Sequence, residues 1–94
     1  MAQPTDHKYI VTDSEILHGE PVIKGTRTPV RAIVETCWMG VEAEDIPNRL
    51  PHLTVDQVFD ALSYYNNHQA EIDERIDQNR IPERLIHPLV RALG

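Results

Sequence analysis

The sequence predicts a mainly α fold: a trihelical, helix-turn-helix-like bundle with a short N-terminal β-ribbon and a C-terminal helical tail. Three observations predict it. Apolar residues recur at helical spacing over residues 30–38 and again over residues 55–65. A threonine suited to cap a helix, Thr28 or Thr54, precedes each of these segments. Two short β-prone runs, KYIV (residues 8–11) and PVIK (residues 21–24), come before both. Residues 1–7 are polar and expected to fray, residues 8–79 form the domain, and residues 80–94 form a partner-binding tail.

The elements follow in chain order. KYIV is the first strand. TDSEILHGE (residues 12–20) mixes turn formers with the apolar pair Ile16 and Leu17, which fits a single helical turn closed by Gly19. PVIK is the second strand, with Pro21 at its first position, where a missing N–H is tolerated. Such a ribbon is marginal alone in water and needs helices or a partner's strands against it. The first helix has Thr28 as N-cap and Pro29 at its first position. Val30, Ile33, Val34, Cys37 and Trp38 form its apolar stripe, and Gly40 is its C-cap.

VEAEDIPNRLP (residues 41–51) reads as a short helix with Ile46 and Leu50 inward. Glu42, Glu44 and Asp45 suit its N-terminal end. Pro47 removes a hydrogen bond there, so the helix is expected to be kinked or partly 3₁₀, and Pro51 stops it. TVDQ (residues 54–57) is a capping box, with Thr54 as N-cap and Gln57 reaching back. The stripe of this third helix is Val55, Val58, Phe59, Leu62 and Tyr65. The polar run NNHQ (residues 66–69) interrupts it, and Ile72 and Ile76 resume the pattern up to about Asn79. The helix either continues through the run or bends there. The tail RIPERLIHPLVRALG (residues 80–94) is too apolar for a solvated end, and Pro82 and Pro88 limit it to short helical pieces.

Ninety-four residues make one small domain with a modest core, which a stable dimer would help. The net charge of −6 is unevenly spread. Residues 20–34 set Glu20 against Lys24, Arg27 and Arg31, residues 35–79 set ten acids against Arg49 and Arg75, and residues 80–94 are net positive. Non-specific nucleic-acid binding is therefore expected to be weak, while binding by a small basic patch stays open. A single cysteine, Cys37, excludes an internal disulfide framework and a cysteine-rich zinc site, and reads as a buried structural thiol. The opening MAQPTDHKY has no apolar core of a secretory signal, and no apolar run approaches a membrane span. A soluble cytoplasmic protein is expected.

VIKGTRTPV (residues 22–30) is the most distinctive stretch. Gly25 permits a positive φ or a close approach. Lys24, Thr26, Arg27 and Arg31 then surround a helix N-terminus, whose N–H groups favour anions. A phosphate of DNA or of a ligand fits there. Alternatively, Arg27 and Arg31 pair with acids such as Glu35 one turn on. The Gly-Thr-Arg element lacks the glycine spacing of a nucleotide-binding loop. Helix two, PHL and helix three have the order of a helix-turn-helix unit, or of a plain three-helix core. Asp56 and Asp60 on the third helix would meet phosphates badly. Gln57 is suited to a base contact there, although the capping box also uses it.

The five histidines show no ligand spacing, and His52 reads as a turn or capping side chain. No Asp/Glu pair has an evident acid–base arrangement, and neither Ser14 nor Ser63 sits on a glycine elbow. No metal, cofactor or enzymatic activity is expected.

Residues from about Ile10 to about Tyr65 resemble a widespread family of small bacterial and archaeal proteins, the domain of unknown function numbered 433. The matching pieces are GEPVIKGTRTPV, the helix ending WMG, and PHLTVDQVFDALSYY. The family is similar to homeodomain-like and winged helix-turn-helix proteins, and is described as antitoxin-like because its genes tend to neighbour those of PIN-like ribonucleases. Glu42 departs from the family's usual Ser or Thr cap of the second helix, and Pro47 from its usual helix former. Both weaken that helix. Residues past about Asn67 lie outside the shared pattern.

The resemblance implies a type II antitoxin-like protein that forms a homodimer, inhibits a cognate PIN-like toxin and represses its own operon. Operator DNA would meet Lys24, Thr26, Arg27, Arg31 and Gln57. The toxin's metal-holding carboxylates would meet the tail, where Arg80, Arg84 and Arg91 alternate with anchors such as Leu85 and Leu89. The alternative is a non-catalytic protein–protein interaction or oligomerisation module without DNA binding, which Asp56, Asp60 and the low basic content favour.

Overall fold

The computed structural model describes residues 1–79. Three short strands open the chain: β1 (Gln3–Pro4), β2 (Ile10–Thr12) and β3 (Val22–Ile23), in the antiparallel order β1-β2-β3. Gln3 pairs with Thr12 and Pro4 with Val11, while Ile10 pairs with Ile23 and Val11 with Val22. The first residues, expected to be frayed, are placed here as an edge strand, where a proline costs no ladder bond. Thr5 fixes the return: its hydroxyl donates to the Ile10 carbonyl at 2.7 Å and accepts from the His7 amide at 3.1 Å. The turn Leu17–Gly19 closes as the sequence suggests but with the opposite hand, at φ values of 49°, 56° and 80°.

Helix α1 (Val30–Trp38) begins one residue later than expected, with Pro29 rather than Thr28 in the capping position. Strand pairing wins over the cap. The Thr28 carbonyl accepts from the Ile23 amide at 2.9 Å, and Pro29 bridges to Val22. At the other end Gly40 fulfils its role with φ +97°. Its amide donates to Cys37, and the next amide, Val41, reaches back to Thr36, which closes the helix as a Schellman motif.

Pro47 splits the next segment as expected. A 3₁₀ turn (Ala43–Asp45) leads into the single turn of α2 (Ile46–Arg49), and no side chain caps either piece. Helix α3 (Val55–Asn67) carries the full capping box of Thr54 and Gln57. His68, at φ −136° and ψ 40°, breaks the helix, and α4 (Gln69–Asn79) follows at a new angle. The mainly α class thus holds with four α-helices among the described residues.

The core joins Ile10 and Ile23 of the sheet to Val30, Ile33 and Val34 of α1, Ile46, Leu53, Val58, Ala61 and Tyr64, with Ile72 and Ile76 of α4. Helix α1 packs on both α3 and α4. The buried stripe of α3 is rotated from the expected one: Val58, Ala61 and Tyr64 face in, while Val55 and Phe59 face out. Among the described residues no helix is long and apolar enough to cross a membrane. The expected helical tail lies outside the described residues.

Candidate interaction surfaces

The basic junction folds as a tight turn. Ile23 accepts from the Thr26 amide at 3.0 Å, and Gly25 sits at φ +80°, the third position of a type II turn. The Lys24 amide ties this turn to the Tyr9 carbonyl at 2.7 Å. Lys24 and Arg27 are exposed at its tip, and among the described residues neither is paired with a carboxylate. The other three residues assigned to DNA are occupied within the fold. The Thr26 hydroxyl donates to the Ile23 carbonyl at 2.8 Å and accepts from the Thr28 amide at 3.0 Å. The Gln57 side chain accepts from the Thr54 amide at 2.8 Å.

Arg31 turns inward. Its Nε lies 2.5 Å from Oε1 of buried Glu20, and its Nη1 lies 3.4 Å from Oε1 of Glu35. The Nε approach to Glu20 is off the N–H axis, so this contact is an ion pair without an aligned hydrogen bond. The pairing of arginine with nearby acids thus describes Arg31 but not Arg27. Beside the pair lies a cleft of about 250 Å³ between the Leu17–Gly19 turn, α1 and the end of α4, with Arg75, Gln78 and Asn79 on its rim. Arg80, Arg84, Leu85, Leu89 and Arg91, assigned to a partner, lie outside the described residues.

His52 joins the α2–α3 turn to the basic junction, with its Nε2 2.8 Å from the Thr28 hydroxyl. Lys24 and Arg27 therefore lie near the start of α3. The first turn of α3, however, carries Asp56. With α2 reduced to one turn, the helix-turn-helix likeness rests on α3 and its preceding turn.

An apolar face lies elsewhere. Trp38, Met39, Val55 and Phe59 are exposed, at 58%, 74%, 39% and 47%. Val55, Phe59, Leu62 and Tyr65 follow one another at three- or four-residue spacing on α3, which makes them neighbours on one face. The Tyr65 ring meets Trp38 edge-on at 6.4 Å, so the face continues across to the end of α1. Cys37, next to Trp38 in the chain, is half-buried against the core, and burial with the nearby Glu42 carboxylate pushes its thiol pKa up.

The structure also assembles a cluster that sequence spacing does not show. Asp6, His7 and His68 each bring a donor atom within 4.8 Å of the others. Tyr64 lies beneath, stacked on His68 at 4.1 Å and edge-on to His7 at 5.3 Å. Burial, then the Glu71 carboxylate, pushes the Tyr64 phenol up to about 12. The two histidines are far apart in the chain, and the polar NNHQ break was the sole local hint that His68 sits at a corner.

Sheet, helices and surfaces together define a small, mainly α domain with an N-terminal antiparallel sheet, an exposed apolar face and an exposed basic turn. Residues 10–65, more than half of the chain, match the DUF433 family, described as a protein of unknown function, and the chain belongs to that family. A crystal structure of a DUF433 member from Anabaena variabilis is similar, with a TM-score of 0.69 at 26% identity, over 73% of this chain and 68% of that one. No curated protein matches the chain. Asp6, His7, His68 and the whole of α4 lie outside the family match.

Proposed function

We propose that this chain is a non-catalytic, antitoxin-like binding protein whose primary contact is with other protein. The observation that carries the reading is the exposed face of Trp38, Met39, Val55 and Phe59. Contiguous apolar surface rimmed by polar residues marks a protein-interaction site, and aromatic side chains dominate the energetics of such sites. In this reading the face joins two copies of the chain, which enlarges a core that is modest in one copy. Residues 80–94 then serve the second partner, a PIN-like ribonuclease, with Arg80, Arg84 and Arg91 on its carboxylates.

The test is co-expression with the protein encoded beside this gene, using the full chain and the chain cut after Asn79. The full chain is expected to co-purify with a ribonuclease and silence it, and the cut chain to leave it active. A full chain that neither binds nor silences its neighbour removes the antitoxin role.

Operator binding is a second reading, favoured by the two cations at the basic turn, which pair with no carboxylate among the described residues. Lys24 and Arg27 alone would carry the phosphate contacts, since Arg31 is held by Glu20. That leaves a small, salt-sensitive electrostatic contribution.

A further inference from the structure

We propose that Asp6, His7 and His68 form a binding site for a divalent transition cation of the zinc class, one that clamps the N-terminal arm to the α3–α4 corner. The inference rests on side-chain geometry alone and is independent of the antitoxin reading.

The donor set is that of a borderline-soft cation: two imidazoles and a carboxylate. His7 Nε2 lies 3.8 Å from Asp6 Oδ2, and His68 Nε2 lies 3.4 Å from Asp6 Oδ1. A tetrahedral zinc ion with bonds of about 2.0–2.1 Å needs donor atoms roughly 3.3 Å apart. The donor atoms all lie within 4.8 Å of one another, so side-chain rotation must draw them together to that spacing, and Asp6, at 64% side-chain exposure, has room to move. Three protein ligands leave the fourth position to water.

The surroundings of His7 match what a metal-ligating histidine needs. Such a histidine normally gives its other nitrogen to a carboxylate or carbonyl, which fixes its tautomer and orientation. His7 Nδ1 lies 3.0 Å from Asp60 Oδ1, and the Tyr9 amide holds the other oxygen of Asp60 at 2.7 Å. Because an ionised carboxylate only accepts, His7 donates from Nδ1 and offers a lone pair at Nε2. The Asn67 amide nitrogen, 3.2 Å from that Nε2, agrees with this tautomer and is what a cation would displace. His68 has a carboxylate in the same place but no such hydrogen bond, with Nδ1 3.7 Å from Glu71 Oε2. Its Nε2 is buried and makes no hydrogen bond, although Asp6 Oδ1 lies 3.4 Å away, off the axis of the ring nitrogen. An orphaned buried imidazole nitrogen next to a carboxylate is a feature that a cation between the two would satisfy once the ring turns toward it. The His7 side chain is only 9% exposed, so one ligand is built into the fold.

The test uses the untagged full chain, titrated with Zn²⁺ by calorimetry and with Co²⁺ by visible absorption. One equivalent is expected to bind, Co²⁺ with the intense visible bands of a four-coordinate ion, and Zn²⁺ is expected to raise the melting temperature. Asp6→Asn and His68→Gln should each weaken binding about tenfold or more, and Asp60→Asn, which acts through His7, by about tenfold. Asp6→Asn changes an exposed side chain, and circular dichroism will verify that it folds. The proposal is overturned if no stoichiometric binding occurs. It is equally overturned if Asp6→Asn and His68→Gln together bind as tightly as the parent, since His18, His52, His87 or Cys37 would then hold the ion.

Discussion

Glu20 and Arg31 form an ion pair that is largely sealed from water, with side-chain exposures of 4% and 19%. It joins the segment just before β3 to the first turn of α1. Removing one member of such a pair leaves the other charge buried and uncompensated, which costs about 3–5 kcal/mol, whereas removing both is much less harmful. Glu35 is a second, more exposed partner of Arg31 and cannot replace Glu20 inside the fold. Arg31→Met should therefore destabilise the protein by about 3 kcal/mol, and Glu20→Gln with Arg31→Met should recover most of the loss. Urea unfolding midpoints report both. If Arg31→Met unfolds at the parent's midpoint, the pair is not structural and Arg31 becomes available to anions again.

The same pair limits how DNA binding can be tested. Changing Arg31 alters the fold, so the informative variant is Lys24→Ala with Arg27→Ala, at the exposed turn. Each lost phosphate contact changes the slope of log affinity against log salt by about 0.9. The double variant should weaken binding to the DNA upstream of the gene and flatten that slope by about 2. Fluorescence anisotropy at several salt concentrations measures it. An unchanged slope would show that the turn does not touch phosphate.

What the sequence made legible was local chemistry. The capping box of Thr54 and Gln57, the left-handed Gly40 and the break at Pro47 each depend on residues within one turn, and all three are found where expected. Thr28 failed as a cap because a strand pairing with Ile23 claimed its backbone. Trp38 and Phe59 fit a helical stripe by spacing, but that stripe is wider than the face α1 and α3 bury against each other, so its edges stay outside. The Glu20–Arg31 pair and the Asp6–His7–His68 cluster join elements that only the folded chain brings together. Spacing carries no trace of either.

The exposed face makes a prediction about assembly. Trp38→Ser with Phe59→Ser removes apolar surface that the single chain leaves in water, so the single chain should still fold, losing only the stabilisation that association lends it. Molar mass by light scattering should fall from that of a dimer to that of one chain. A stable variant whose mass equals the parent's would show that the face does not join copies.

Cys37, half-buried against the core, offers a separate readout. Burial first, and the Glu42 carboxylate second, raise its pKa above the ordinary thiol value of 9.0. The native state thus favours the neutral thiol. Its contribution to stability is fully present below that ordinary value and is lost as pH rises through the higher folded one. Because the thiolate is the reacting species, a disulfide reagent should modify Cys37 more slowly in the native chain than in the urea-unfolded chain at pH 8. Glu42→Gln should lower the native pKa and speed the native reaction, leaving the unfolded rate unchanged. Equal native and unfolded rates would mean that the thiol is not shielded. A Glu42→Gln rate equal to the parent's would leave burial as the whole cause of the shift.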